Sequence, residues 1–263
     1  MRNLIVFGDY GLDDAAATAT VLSNADHFEK ITIVPIGGNV PVEVSFRNCI
    51  TLLNHLPVAN HKITVVDARE VPQSAEYLAT IHGGDGMGDV LVHDASMESI
   101  SVLQFDEWIE HADGTETVLS LGPMTLVKTF LSKYPNCPLV FMAGCVKEAP
   151  NFKGYEFNQA LDVEAFAFCT KHPHVAITLD TCRIPKLNLR NYEIPGDSVY
   201  ARLLRADQAL SVTRGEDGCY VWDDVAACYL FHPERFEVVR ETDRWGNQLY
   251  HAKYVSALPY FES

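Results

Sequence analysis

Short apolar segments that alternate with helical stretches most strongly limit the folds open to this chain. These segments occupy residues 4–7, 31–36, 62–66, 117–121, 138–143 and 175–179. Runs this apolar predict strands that are buried on both faces of a sheet. Helical patterns lie between them, as in residues 46–56 and 125–134. The alternation predicts an α/β fold, with a mainly parallel (doubly wound) sheet flanked by helices.

We expect a ligand site at the carboxyl ends of these strands, because ligands of such sheets bind in the crevice there. Polar and glycine-rich stretches follow four of the strands, at residues 8–14, 37–39 and 122–123 and after Asp180. Residues 81–94 form a further loop rich in Gly, Asp and His, which is typical of a flap over an active site. The 263 residues contain no evident repeat or linker, so we expect a single domain over residues 1–263.

Three acids follow the first strand within six residues: Asp9, Asp13 and Asp14. One interpretation is an exposed turn whose acids cap the next helix, because Asp is favoured at helix N-termini. A single Asp suffices for a cap, whereas three neighbouring carboxylates repel each other unless a cation lies among them. Hard divalent cations prefer such oxygen ligands. The cluster therefore favours half of a Ca²⁺ or Mg²⁺ site.

The overall charge and the cysteine pattern limit the partners of the chain. A net charge of −15 argues against nucleic acid and anionic membranes, since both bind through positive patches. The seven cysteines are scattered without a C-x-x-C pair, which favours buried thiols in a reducing compartment. No apolar run reaches membrane-spanning length, and the first residues show no signal-peptide pattern. We therefore expect a cytoplasmic protein without a nucleic-acid or membrane partner.

The acidic segment also resembles a known signature. Inosine–uridine-type nucleoside hydrolases begin with a strand followed by D-x-D-P-G-x-D-D, and residues 7–14 match this pattern except at Phe7 and Tyr10. Five more blocks resemble motifs of that family in the same order along the chain. They are Gly37-Gly38-Asn39-Val40 with Arg47-Asn48, His82-Gly83-Gly84-Asp85-Gly86-Met87-Gly88, Leu121-Gly122-Pro123-Met124-Thr125, Glu156-Phe157-Asn158 with Asp162-Val163-Glu164-Ala165, and Trp222-Asp223-Asp224-Val225-Ala226. On these ordered blocks the chain is identified as a member of the family.

The resemblance implies a nucleoside hydrolase-like fold and a reaction. The reaction is hydrolysis of the N-glycosidic bond of a ribonucleoside or a related N-riboside, which gives ribose and a free base. The implied cofactor is calcium (Ca²⁺), with Asp9, Asp14 and Asp223 as side-chain ligands and Thr125 as a backbone carbonyl ligand. Asp9 is also implied to be the general base that activates a water molecule beside the metal. The chemistry agrees, because carboxylates stabilise the positive charge that develops on a sugar as its glycosidic bond breaks.

Other residues are implied to bind the sugar of a nucleoside substrate. Asp13, Asn39 and Asn158 are expected to bind ribose hydroxyls, although an Asn after a strand is also an ordinary turn residue. Glu156 is expected at the 5′ end of the ribose. Asn151 is a further candidate there, but it precedes Glu156 by five residues where the family has six.

His82 and Trp222 are expected to lie near the leaving base. A loop histidine is often simply exposed, but its ordinary pKa of about 6.5 suits proton donation or a hydrogen bond to the base. Trp222 stands where several members of the family have a histidine that faces the base. An indole there can stack on a flat base.

Departures from the family pattern leave a second function open. Phe7 removes a carboxylate beside the expected metal ligands, and Trp222 removes a candidate acid for the leaving base. The segment 181–221, with Arg183, Arg190 and Tyr192 as candidate base contacts, is short for the family. The alternative is therefore a catalytically weak member that binds ribose or nucleosides as a sensor or scaffold. An aspartate-nucleophile phosphotransferase would need a Thr or Val after D-x-D and a downstream Lys, and neither is evident. We expect a homodimer or homotetramer.

Overall fold

The strands in the described part of the chain all join one sheet. The computed structural model describes residues 3–57, 62–76, 78–98 and 100–257. Its strands are β1 (Asn3–Gly8), β2 (Lys30–Pro35), β3 (Ile63–Asp67), β4 (Ser101–Gln104), β5 (Thr117–Ser120), β6 (Leu139–Met142), β7 (His174–Ile177), β8 (Phe236–Thr242) and β9 (Gln248–Tyr254). They lie in the order β4-β3-β2-β1-β5-β6-β7-β9-β8.

The pairing of these strands is parallel everywhere except in one hairpin at the edge. Only β8 and β9 pair antiparallel among the described strands. β1 is central, and Phe7 pairs with Val34 of β2 on one side and with Ser120 of β5 on the other. The predicted α/β fold with a mainly parallel sheet is confirmed.

Helices cover both faces of the sheet and divide the core in two. They are α1 (Leu12–Ser23), α2 (Val42–His55), α3 (Ala79–His82), α4 (Phe105–His111), α5 (Thr125–Lys133), α6 (Phe157–Leu161), α7 (Val163–Cys169), α8 (Leu179–Cys182), α9 (Val199–Thr213) and α10 (Trp222–Phe231). Successive side chains of a strand point to opposite faces. Leu4 and Val6 of β1 therefore pack with residues of α1 and α10, whereas Ile5 and Phe7 pack with residues of α4 and α5.

The six strands expected from apolar runs are all present, with small shifts at their ends. β4, β8 and β9 were not predicted, because these strands alternate between exposed and buried residues or are mostly half-exposed. The helix expected from Phe46 begins earlier, at Val42, directly after Pro41. Proline fixes its own φ and has no backbone N–H, so it suits the start of a helix.

Two further expectations concern the cysteines and the membrane. All seven cysteines are buried, free thiols, as their scattered pattern predicted. In the part of the chain that the structure describes, no helix is both long enough and apolar enough to cross a bilayer.

Candidate active site

The turn between β1 and α1 brings three acids to the carboxyl end of the central strand. Asp14 lies in the first turn of α1, and its carboxylate accepts hydrogen bonds from the backbone N–H of Asp9 at 2.9 Å and of Gly11 at 3.0 Å. One of the three acids therefore does cap the helix. Asp13 differs, because its buried Oδ1 has no hydrogen-bond partner among the described residues. Helix capping thus accounts for Asp14 but not for Asp13.

Asp9 packs between the loops that follow the neighbouring strands β2 and β5. It is fully buried, and its Oδ2 accepts the backbone N–H of Asn39 at 2.5 Å, while its Oδ1 accepts Nδ2 of Asn39 at 3.2 Å. A Cβ atom at Gly38 would lie 1.8 Å from Oδ2, and one at Gly122 would lie 2.9 Å from Cγ. These two glycines follow β2 and β5. They are required there because any side chain would displace the carboxylate.

Asp223, at the start of α10, adds a carboxylate from the far end of the sequence. One carboxylate oxygen from each of Asp13, Asp14 and Asp223 lies within 4.8 Å of the others. Burial, followed by the charge of Asp13, raises the pKa of Asp14 to about 7. Burial and the neighbouring acids also raise the pKa values of Asp9 and Asp223. Like charges this close are stabilised by protons or by a cation, and oxygen donors suit a hard cation. The cluster can therefore hold a metal ion.

A cavity of about 690 Å³ lies beside the acids, a volume suited to a small-molecule ligand. The expected site residues that line it are Asp13, Asn39, His82, Asn151, Glu156, Asn158, Trp222 and Asp223. Leu121 lines it as well, so all six sequence blocks meet at this cavity. Asp9 and Asp14 are fully buried next to it and do not line it.

Thr125, the expected carbonyl ligand, does not line the cavity. It is the first residue of α5, and its Oγ1 donates a hydrogen bond to Asp162 at 2.8 Å. Leu121, four residues earlier, does line the cavity, and its carbonyl oxygen accepts Nδ2 of Asn158 at 2.8 Å. The next residue, Gly122, packs against the carboxylate of Asp9. The carbonyl of Leu121 is therefore a better candidate for a backbone ligand than the carbonyl of Thr125.

Glu156 and Asn158 fix the cavity wall at the start of α6. The Glu156 carboxylate is the N-cap of α6, and it accepts the backbone N–H groups of Asn158, Gln159 and Gly144 at 2.9–3.0 Å. Burial nevertheless raises the pKa of Glu156 to about 7. Asn158 donates from Nδ2 to the carbonyls of Leu121 and Met142, which leaves its buried Oδ1 without a partner in the described chain. That Oδ1 is an acceptor available to a ligand.

His82 ends α3 and is buried, rather than exposed on a loop. Its Nδ1 accepts the backbone N–H of Leu12 at 3.1 Å and lies 3.8 Å from Oδ1 of Asp13. Burial lowers the pKa of His82, the charge of Asp13 opposes this shift, and the charge of Arg214 adds to it. The ring is therefore neutral, with its proton on Nε2.

One wall of the cavity comes from residues that the sequence did not single out. Its charged and aromatic members are Asp207, Arg214, Glu216, Asp217 and Tyr220. Arg183, a candidate base contact, lines the cavity and places its guanidinium 5.8 Å from the ring centroid of Trp222, whereas Arg190 does not line it. The sequence signal for this wall was the pair of aromatic residues just before Asp223, Tyr220 and Trp222, whose ring centroids lie 5.5 Å apart.

The structure also places the two residues that depart from the family signature. Phe7 points away from the cavity into the core, where its ring contacts Trp108 and Phe130. Tyr10 has a positive φ of 44°, which proline cannot adopt because its ring holds φ near −65°. The turn after β1 therefore has a different backbone conformation at residue 10 from a turn that carries proline there.

The fold and the cavity define an α/β protein with an acidic ligand site at the carboxyl ends of its parallel strands. The sequence model of the family described as inosine-uridine preferring nucleoside hydrolase matches residues 4–252. The chain belongs to this family.

Individual relatives show the same likeness. The chain is 30% identical over 174 residues to the non-specific ribonucleoside hydrolase RihC of Klebsiella pneumoniae (strain 342); the match covers 62% of this chain and 56% of that protein, so it spans little more than half of the relative. In fold, the chain is similar to the purine-preferring ribonucleoside hydrolase from Gardnerella vaginalis, with a TM-score of 0.72, 21% identity, and coverage of 96% of this chain and 88% of the other. The inosine-uridine preferring nucleoside hydrolase from Bacillus anthracis matches with a TM-score of 0.66, 17% identity, and coverage of 97% and 95%.

Proposed function

We propose that this chain hydrolyses the N-glycosidic bond of a ribonucleoside or a related N-riboside, releasing ribose and a free base. The observation that carries the proposal is the meeting of buried acids and amides at one cavity. Oδ1 of Asp13 and Oδ1 of Asn158 are buried acceptors that lack a partner among the described residues. Ribose hydroxyls are donors that would satisfy both atoms. The family, and the similarity to a ribonucleoside hydrolase, support the same reaction.

We infer that the cofactor is Ca²⁺, held by Asp9, Asp14, Asp223 and the backbone carbonyl of Leu121 in place of Thr125. Carboxylate oxygens of Asp13, Asp14 and Asp223 lie within 4.8 Å of one another, and the charge of Asp9 acts on Asp223. This crowding of like-charged oxygen donors supports a hard cation. When bound, Ca²⁺ would orient the ribose diol and make a nearby water easier to deprotonate.

In this proposal the chain itself supplies the general base and the sugar contacts. Asp9 accepts the proton of the attacking water, and its burial, which raises its pKa, makes its ionised form a stronger base. Asp13, Asn39 and Asn158 hold the ribose hydroxyls. Glu156, whose carboxylate is committed to backbone N–H groups, shapes the 5′ end of the site together with the nearby Asn151.

A panel of ribonucleosides, assayed for free ribose with and without a Ca²⁺ chelator, tests the proposal. We expect chelator-sensitive ribose release that Asp9→Asn abolishes. Asp26→Asn is the matched control, because the Asp26 carboxylate is exposed and pairs with Lys62 on the surface. Nucleoside binding without ribose release from any substrate would refute hydrolysis and favour a sensor or scaffold. The cytoplasmic location and the homodimeric or homotetrameric assembly stay predictions.

A further inference from the structure

The cavity wall that α9 contributes holds a carboxyl group without a role in the reaction described above. Asp207 lies on α9, lines the cavity and is half-buried. Its Oδ2 accepts a hydrogen bond from the Cys219 thiol, with an S···O distance of 3.4 Å. Arg214 on the same wall is already engaged by Glu216, through two N···O contacts of 2.8 Å. The guanidinium of Arg214 is therefore held by another acid.

A nucleobase is a poor leaving group unless it is protonated as the C1′–N bond breaks, so the site needs a proton donor. His82 is unsuited to this task. Its Nδ1 accepts the backbone N–H of Leu12. To act as an acid the ring would need a second proton on Nδ1, and that proton would point at the N–H of Leu12. Trp222 has only an indole N–H, which donates a hydrogen bond but does not release its proton at neutral pH.

We propose that Asp207 is the general acid that protonates the leaving base, an inference that rests on the proposed N-riboside hydrolysis. In this step water attacks C1′ and gives one proton to Asp9, while the C1′–N bond breaks and its electron pair takes the proton of Asp207. The products are ribose and a neutral base. Solvent then returns a proton to Asp207 and removes one from Asp9. The net reaction is therefore N-riboside plus water, giving ribose plus the free base.

The surroundings of Asp207 keep a proton on it near neutral pH. Burial raises the pKa of Asp207 to about 7, and the charges of Asp13 and Glu216 act in the same direction. The hydrogen bond from Cys219 and the charge of Arg214 act in the opposite direction. A carboxyl group whose pKa is raised in this way is the usual proton donor in glycoside hydrolysis.

A comparison of two substrate types separates an acid from a structural residue. A natural nucleoside such as inosine needs a protonated base, whereas p-nitrophenyl riboside releases an anion that is stable without a proton. We expect Asp207→Asn to lower kcat/KM for nucleosides by about 10²–10⁴-fold, the usual contribution of general acid catalysis, and to change it less than about tenfold for p-nitrophenyl riboside. Asp207→Glu should restore part of the nucleoside activity. Asp197→Asn is the matched control, because its side chain is exposed and lies two residues before the first residue of the same helix.

The pH dependence of the unmodified protein gives a second readout that does not depend on a variant folding. kcat/KM for nucleosides should fall as the pH rises above about 7, where Asp207 loses its proton, and this fall should be absent with p-nitrophenyl riboside. Equal losses on both substrates, or identical pH profiles for the two substrates, would overturn the role of Asp207. The same selective loss in Tyr220→Phe would also overturn it, because Tyr220 lines the same cavity. If the unmodified protein releases ribose from neither substrate type, the proposed function fails instead.

Discussion

Phe7 occupies the first Asp position of the family signature, yet the structure makes it a core residue. Its side chain is fully buried, with its ring centroid 6.2 Å from that of Trp108 and 6.5 Å from that of Phe130. Leucine would keep much of the volume but lose two aromatic contacts, worth about 0.5–1.5 kcal/mol each. A modest change of shape in a packed core adds up to about 1.5 kcal/mol. We expect Phe7→Leu to lower the free energy of unfolding by about 1–4.5 kcal/mol.

Phe7→Asp, which would restore the family signature, should be far more damaging. Losing the buried ring costs about 3–5 kcal/mol, as in Phe→Ala substitutions. An unpaired polar group in the same place adds a desolvation penalty of about 1–3 kcal/mol. The sum is comparable to the whole stability of many domains, about 5–15 kcal/mol. We therefore expect little folded protein.

Urea unfolding followed by tryptophan fluorescence measures both changes, and kcat/KM on a nucleoside measures the activity of the folded leucine variant. Phe141→Leu is the matched control, since Phe141 is fully buried in the same core and contacts the ring of Phe166. We expect similar losses of stability in the two leucine variants and an unchanged kcat/KM for Phe7→Leu. A stable Phe7→Asp protein with higher activity would show that residue 7 belongs to the site and would refute this reasoning.

Three further predictions concern the acids at the cavity. Calcium at 100 times its Kd should stabilise the unmodified protein by about 2.7 kcal/mol in thermal unfolding, and Asp223→Asn should remove this effect. Equal stabilisation of the unmodified protein and the variant would contradict Asp223 as a metal ligand. Asp13→Asn should lower kcat/KM for nucleosides by at least about tenfold, since about 1.4 kcal/mol of sugar binding is at stake, and steady-state kinetics tests this. In the folded state the pKa of Glu156 is about 7, whereas its ordinary value is 4.5. The free energy of unfolding should therefore fall as the pH rises from about 4.5 to about 7, because only the unfolded chain then loses this proton readily. Urea unfolding at several pH values should show a shallower fall in Glu156→Gln.

The central part of the sheet could be predicted because each of its strands is buried on both faces. Such strands leave continuous apolar runs in the sequence, and their carboxyl ends are marked by glycines and acids. The edge strands β4 and β8, and β9 beside β8, leave no such run. β4 is short and has no fully buried residue, β8 is buried only at its first residue, and β9 is interrupted by exposed positions. Their pairing depends on long-range contacts that a local pattern does not record.

The proposed site was predictable where its side chains lie in recognisable motifs, and not where a proposed role falls on the backbone or on a residue outside those motifs. Asp223 and Asn158 lie in recognisable motifs, and both line the cavity. A carbonyl ligand has no side-chain signature, so the sequence could not distinguish Leu121 from Thr125. Asp207 was also missed, because an Asp on an amphipathic helix is ordinarily a solvated residue. Only the packing of α9 against α1 and α3 brings that face to the cavity.

The acids of the first turn show how distant residues divide one cluster into separate roles. Asp9, Asp13 and Asp14 are chemically identical and lie within six residues. Asp14 accepts two N–H groups of its own turn and a hydrogen bond from Nδ2 of Asn39. Asp9 accepts both the backbone N–H and Nδ2 of Asn39, and two glycines from other loops leave room for its carboxylate. Asp13 receives no such bond at its buried Oδ1 from the described chain. The acid that the protein leaves unsatisfied is thus the one best suited to hold a substrate hydroxyl, because a ligand must supply what the fold does not.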